Sequence, residues 1–140
     1  MISIRRAKHE DIQQLEIFFQ FTRQETFASR PKNEFQIGDY QKSTADDEVW
    51  VMEENTVIIG FVSVYSADNF IHNLFIHPSH QRCGKGTQLL QIAEKNLERP
   101  MTLKVAMDNL RVCSFYEKHG WHQASIHQDT AEPYILYKKD

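Results

Sequence analysis

The chain has 140 residues, which sets one domain as the expectation and allows a core that folds without disulfide or metal staples. Hydrophobic residues make up 41% and charged residues 25%, with Gly 5 and Pro 4, a globular balance that excludes disordered, collagen-like and low-complexity classes. A net charge of −3 and a pI of about 6.1 argue against a nucleic-acid-binding surface. No run approaches the roughly 20 apolar residues of a membrane helix. The opening MISIRRAKHED has charge but no apolar stretch of the secretory kind. Cys83 and Cys113 are too few for a disulfide framework, so a reduced, cytoplasmic protein is expected. Charge is uneven: residues 1–56 carry 11 acids against 7 Lys/Arg, and residues 57–140 carry 8 against 9. That split is either chance or a cationic substrate on the first half and an anionic cofactor on the second.

Ser3 to Arg6 reads as a short opening strand. From His9 to about Phe21, Ile12, Leu15, Phe18 and Phe19 fall on one helical face, with Glu10 and Asp11 in the first turn where acids suit the dipole. Arg23 to Ala28 reads as a second short helix, and Pro31, Asn33, Gly38 and Asp39 punctuate a loop. Val49-Trp50-Val51-Met52, the turn Glu53–Thr56, and Val57 to Tyr65 form a hairpin. Phe70 to His77 is a third strand, ended by Pro78. Gly84 to Glu98 is a helix with Leu89, Leu90, Ala93 and Leu97 on its stripe and Pro100 beyond its end. Met101 to Met107 is a strand, Asn109 to His119 a helix ending at Gly120, and Trp121–His127 and Tyr134–Lys138 are closing strands. The order predicts an α/β (α+β) domain spanning 1–140, with a mixed, mostly antiparallel sheet flanked by helices.

The chemistry begins at Gln81-Arg82-Cys83-Gly84-Lys85-Gly86-Thr87, between a strand and a helix. Glycines there let the backbone approach a ligand, and the first N–H groups of the helix form a site for phosphate or pyrophosphate. Arg82 and Lys85 add charge. It is not a Walker loop: the residue five before Gly84 is Ser79, and Lys85 is followed by Gly86. It is not a dinucleotide fingerprint either, because Leu89 stands where a third glycine is needed. Alone, such a turn is as readily a tight connection as a ligand site.

The wider pattern resembles the GNAT superfamily, the acetyl-CoA-dependent N-acetyltransferases. Phe75-Ile76-His77-Pro78 leading into Gln81-x-x-Gly84-x-Gly86 is similar to that family's strand and pyrophosphate loop. Asn109 followed by Phe115-Tyr116-Glu117-Lys118-His119-Gly120-Trp121 is similar to its second signature, and Ile4-Arg5-x-Ala7-x-x-x-Asp11-x-x-x-Leu15 to a common opening. The resemblance spans nearly the whole chain except residues 22–47. It implies acetyl-CoA as cofactor and transfer of an acetyl group to an amine by direct attack in a ternary complex.

On that resemblance, backbone groups of Leu74, Phe75 and Ile76 hold the pantetheine arm and acetyl carbonyl, and the loop from Gln81 through Arg82, Cys83, Gly84, Lys85 and Gly86 to Thr87 holds the pyrophosphate. Asn109 is either an N-cap or a donor to the pantetheine arm, and both roles can coexist. Tyr116, seven residues on and so on the same helical face, is matched to the general acid that protonates the departing thiolate. Val112 stands where the family often has Ala, which narrows the cofactor groove. The family's usual strand glutamate falls here on Phe70. His72, two residues on and expected on the face of Phe70 and Leu74, is the candidate general base; it is otherwise a polar strand residue. His72, His77 and His80 lack the spacing of a compact zinc site, so no metal is expected. The acceptor site is expected from residues 16–50 and the last hairpin, with Phe21, Phe27, Trp50 and Tyr134 as walls. Glu16, Glu25 and the run Asp46-Asp47-Glu48 either attract a cation or, for the run, form a solvated turn. The expected acceptor is a small-molecule amine, with a protein amine or a catalytically silent CoA-binding module as alternatives, and the expected assembly is a monomer or homodimer.

Overall fold

The computed structural model describes residues 1–81 and 84–140. In chain order the elements are β1 (Ile2–Arg6), α1 (Ile12–Thr26), α2 (Asp39–Ser43), β2 (Glu48–Glu54), β3 (Val57–Tyr65), β4 (Phe70–Ile76), α3 (Lys85–Lys95), β5 (Met101–Ala106), α4 (Leu110–Lys118), β6 (His122–His127) and β7 (Tyr134–Lys139). The strands form one sheet in the order β1-β2-β3-β4-β5-β7-β6, and every neighbouring pair is antiparallel except β4 with β5. This is the mixed, mostly antiparallel α/β arrangement that the sequence predicts. No helix among the described residues is long and apolar enough to cross a membrane.

Both faces of the sheet are covered, so the central strands are nearly continuous apolar runs. On one face, Leu15, Phe18 and Phe19 of α1 and Tyr40 of α2 pack on Val49, Val51 and Phe61. On the other, Leu89, Leu90 and Ala93 of α3 and Cys113 and Tyr116 of α4 pack on Val62, Val64, Leu103 and Val105.

The segment between the first helix and the hairpin differs from the sequence expectation. Instead of breaking near Phe21, α1 runs to Thr26, so that the two expected helices are one. Its stripe continues one more turn to buried Thr22, whose hydroxyl donates to the Phe18 carbonyl at 2.8 Å and so needs no other partner. The expected loop also contains α2. Five residues hold little helix on their own. Glu16 of α1 supports it by accepting the N–H groups of Gly38, Tyr40 and Gln41 at 2.8, 3.0 and 3.1 Å. Gly38, at φ 105°, supplies the left-handed turn into it.

Strand β4 is irregular at two points. Ser63 opposes Asn73, but the next residue of β3, Val64, opposes Ile71, so His72 is an extra residue bulged out of the ladder. The expected alternation is thereby overturned: Ile71, not His72, joins Leu74 and Ile76 in the core. The second irregularity is that β4 and β5 pair only at Phe70–Thr102 and Ile71–Leu103 before parting.

Candidate active site

Where β4 and β5 part, the gap is lined by β4 from Ile71 to Ile76 and by β5 from Leu103 to Ala106, forming a cavity of about 470 Å³. The edge of β4 facing β5 from residue 72 to 76 has no ladder partner, which leaves main-chain groups of Leu74, Phe75 and Ile76 at the cavity wall. Gln81 Nε2 donates to the Ile76 carbonyl at 3.1 Å, closing that end. Leu74, Ile76, Gln81, Val112 and Tyr116 also line a second groove of about 440 Å³, which runs over the start of α3. The two spaces meet at these side chains.

The second groove suits an anionic, phosphate-bearing ligand. Gly84 precedes α3 at φ 75°, and a Cβ there would meet nothing within 4 Å, so the turn stands open. Gly86 and Thr87 follow in the first helical turn, where N–H groups lack intrahelical acceptors and the dipole favours negative charge. Arg111 and Lys118 of α4 line the other side, and no carboxylate lines the groove among the described residues. Thr87 Oγ1 lies 2.9 Å from His119 Nε2, whose Nδ1 is 2.7 Å from the Phe115 carbonyl. Lys85 turns to His80 at 3.2 Å and does not line the groove. Two residues of the expected loop, Arg82 and Cys83, lie outside the described residues.

Tyr116 stands at the junction. It is 6% exposed, between Phe115, Trp121 and Tyr137, and no hydrogen-bond partner for its hydroxyl occurs among the described residues. Burial pushes its phenol well above the ordinary value, so it stays protonated throughout the neutral range, as a proton donor must. Asn109 precedes α4 without capping it through its side chain, although its carbonyl accepts from Cys113 N–H at 3.1 Å. It lines the cavity with Tyr116, as the seven-residue spacing predicts.

His72 also lines this cavity. Its Nδ1 is 2.9 Å from Oδ2 of Asp47, just before β2. Asp47 therefore does not belong to a solvated turn: its side chain is 3% exposed, against 42% for His72. Its neighbour Glu48 makes an exposed pair with Arg6.

Of the expected acceptor walls, Phe27 lines the cavity and a wider mouth of about 880 Å³ beyond it. Trp50 does not: the pleat of β2 sends it into the core under α3 and α4, with Arg6 over its ring at 4.8 Å. Tyr134 stacks on His127 at 4.5 Å behind Lys104, so Lys104 is the residue that reaches the cavity. Phe21 stacks on His77 at 5.3 Å, outside it. Glu16 is consumed by the start of α2 and Glu25 is exposed elsewhere, so neither lures a cation here. The mouth is set instead by residues the sequence did not single out. Arg30 Nη2 pairs with Glu34 and with Glu132 of the β6–β7 connection, each at 2.7 Å, across the opening. Arg23, half-buried beside Phe19 and Phe35, pairs with Asp39, and the Gln36 N–H together with Arg23 holds the Asp39 carboxyl below its usual range. A string of exposed-looking charges with no periodicity carries no signal for such a rim.

Residues 11–121 match the acetyltransferase (GNAT) family. The chain belongs to the GNAT acetyltransferase family. Among curated proteins, this GNAT chain is 32% identical over 78 residues to the peptidyl-lysine N-acetyltransferase YiaC of Escherichia coli K12, a match covering 56% of the chain and 52% of that protein. The chain thus spans about half the length of the curated relative it matches. Among solved structures, it resembles the PaiA N-acetyltransferase of Thermoplasma acidophilum in complex with coenzyme A (TM-score 0.80, 22% identity, 100% and 99% of the two chains). It also resembles the ribosomal-protein-S18-alanine N-acetyltransferase of Escherichia coli (TM-score 0.78, 18% identity, 99% and 93%). At these identities the structural likeness establishes the GNAT fold. Acetyl-CoA is the cofactor of the family, and the open turn at Gly84 with Arg111 and Lys118 opposite fits its phosphates.

Proposed function

We propose that this GNAT chain transfers an acetyl group from acetyl-CoA to a primary amine, most simply a small molecule, with both substrates bound together. The observation that carries the reading is Tyr116, a protonated phenol where a phosphate-suited groove meets a separate cavity with its own mouth. The first turn of α3 from Gly84 to Thr87, with Arg111 and Lys118, holds the pyrophosphate; Asn109 and the open edge of β4 hold the arm. Val112 presses on that arm from α4. Acetyl-CoA supplies an activated thioester, in which the C–S bond breaks as the C–N bond forms. A main-chain N–H on the open edge of β4 steadies the carbonyl oxygen during attack, a role worth about 3 kcal/mol in other acyl transfers. Of the two protons the acceptor ammonium loses, one passes to His72 Nε2 and on to water; the other replaces the proton that Tyr116 gives to sulfur.

A protein amine is the second reading, favoured by the likeness to a peptidyl-lysine N-acetyltransferase and by a mouth open enough for an extended side chain.

Calorimetric titration with acetyl-CoA, beside a Gly84→Glu variant, is the primary test. A Cβ at Gly84 has space but sits at positive φ, costing about 1–2 kcal/mol, so the variant folds while its carboxylate repels phosphate. Binding lost only in the folded variant supports the groove; equal binding by both refutes it. Thiol release over an amine panel then separates an enzyme from a module that binds without turnover.

A further inference from the structure

We infer that Asp47 is a positioning residue for proton removal from the acceptor: its carboxylate holds the His72 ring with Nδ1 protonated and Nε2 bare toward the cavity. The inference rests on the acetyl-transfer reading above and adds to it the second member of a pair.

A carboxylate with 3% of its side chain exposed needs a donor, because an unpaired buried charge is costly. An ionised carboxylate only accepts, so the 2.9 Å contact from Nδ1 to Oδ2 requires the proton to be on Nδ1. In the neutral ring the lone pair is then on Nε2. No hydrogen-bond partner for Nε2 occurs among the described residues, and the ring lines the cavity.

The surroundings fix both members of the pair to one brace. The Asp47 N–H donates to the Thr44 carbonyl at 3.0 Å, and the Thr44 hydroxyl to the Tyr40 carbonyl at 2.8 Å, closing a turn on the end of α2. Asn73, next to His72, donates to Ser43 Oγ and Ser63 Oγ, each at 2.9 Å, tying α2 to β3 and β4. The bulge releases His72 from the pleat, so its ring is free to meet Asp47. Of three successive acids, Asp46 is exposed, Glu48 pairs on the surface, and Asp47 alone turns inward.

Other charges lining the cavity compensate one another: Arg23 with Asp39, and Arg30 with Glu34 and Glu132. Lys104 of β5 lies over the Phe70 ring, beside His72. When Nε2 takes a proton from the acceptor ammonium, the imidazolium formed lies against the Asp47 carboxylate. The half-exposed ring then returns the proton to water.

The test begins with the free protein. Long-range ¹H–¹⁵N correlation of the His72 ring at about pH 8, where a free imidazole is neutral, is expected to show the Nδ1-protonated form, lost in Asp47→Ala. A bare Nδ1 in the wild type overturns the inference. Kinetics use thiol release with a lysine-containing peptide and with spermidine. Asp47→Ala and the isosteric Asp47→Asn are expected to lower kcat about 10²-fold, the lower end of what a general base contributes, while acetyl-CoA affinity stays within about twofold. In a His72→Ala background, Asp47→Ala is expected to cost nothing further. An equal loss in both backgrounds places Asp47 outside the pair and overturns the inference. If the wild type acetylates neither amine, the transfer reading fails, while the ring spectrum still decides the Asp47–His72 pair.

Discussion

Two buried tyrosines whose ring centroids lie 6.4 Å apart allow the proposed proton donor to be distinguished from a structural hydroxyl. Tyr137 Oη donates to Glu117 Oε2 at 2.6 Å, and Gln123 Nε2 lies 3.5 Å away. A hydrogen bond to a charged group nets about 1.5–3 kcal/mol, and because Glu117 is at the surface and regains water the lower figure applies. At about 3 °C per kcal/mol for a chain of this length, Tyr137→Phe lowers Tm by roughly 4–5 °C. The Tyr116 hydroxyl bonds to no described residue, so Tyr116→Phe changes stability by less than about 1 kcal/mol. The order reverses for activity. If Tyr116 is the acid, its loss removes roughly 10²–10⁴-fold from kcat, whereas Tyr137→Phe leaves kcat within about twofold. Thermal melts of both variants, with thiol release on whichever amine the wild type acetylates, complete the comparison. A Tyr116→Phe enzyme at wild-type kcat refutes the assignment, and a Tyr137→Phe enzyme as slow as Tyr116→Phe shows that packing, not proton donation, sets the rate.

Gly60→Ala is expected to lower Tm by about 3–8 °C, because its Cβ meets Ile76 Cδ1 at 2.6 Å and the Phe75 carbonyl at 2.9 Å and overpacking costs roughly 1–3 kcal/mol; an unchanged melt would show that β4 can shift freely. The Arg5 guanidinium, and behind it the Lys8 N–H, hold the Asp11 carboxyl below its ordinary value. Since the folded value is the lower one, the stabilisation is complete above the unfolded carboxylate range and is lost as pH falls through the folded value. The Tm gap between wild type and Asp11→Asn should therefore be widest above about pH 5 and close in stronger acid; a gap constant with pH would refute the linkage.

The elements around the donor groove were legible because their signals are local. Apolar periodicity marks α3 and β5, and the glycine before that helix marks the turn into it, which Gly84 makes in the left-handed region. Asn109 stands just before α4 and Tyr116 two turns into it, so spacing alone brings both to one side of that helix. The acceptor half was legible only in part: His72 and Phe27 do line the cavity, but the partner of His72 and the charged rim left no signal. His72 and Asp47 are 25 residues apart, and their contact needs both the bulge in β4 and the turn after α2. Neither leaves a mark in the pattern, because a bulge breaks the period from which faces are read. Trp50 was misplaced for a related reason: with both sheet faces covered, alternation along β2 does not say which face meets the cavity.

The brief contact between β4 and β5 divides the sheet into two rafts, β1–β4 and β5-β7-β6, joined at a seam of two register pairs. Across that seam the rafts share fewer ladder pairs than bind the strands within either raft, and they are held together by the common core under α3 and α4. Each raft also carries its own share of the rim: Glu34 and the Arg30 that reaches across belong to one side, Glu132 to the other. The Arg30–Glu132 contact is therefore a second tie between the rafts, made by side chains at the opening, where β4 and β5 have already parted.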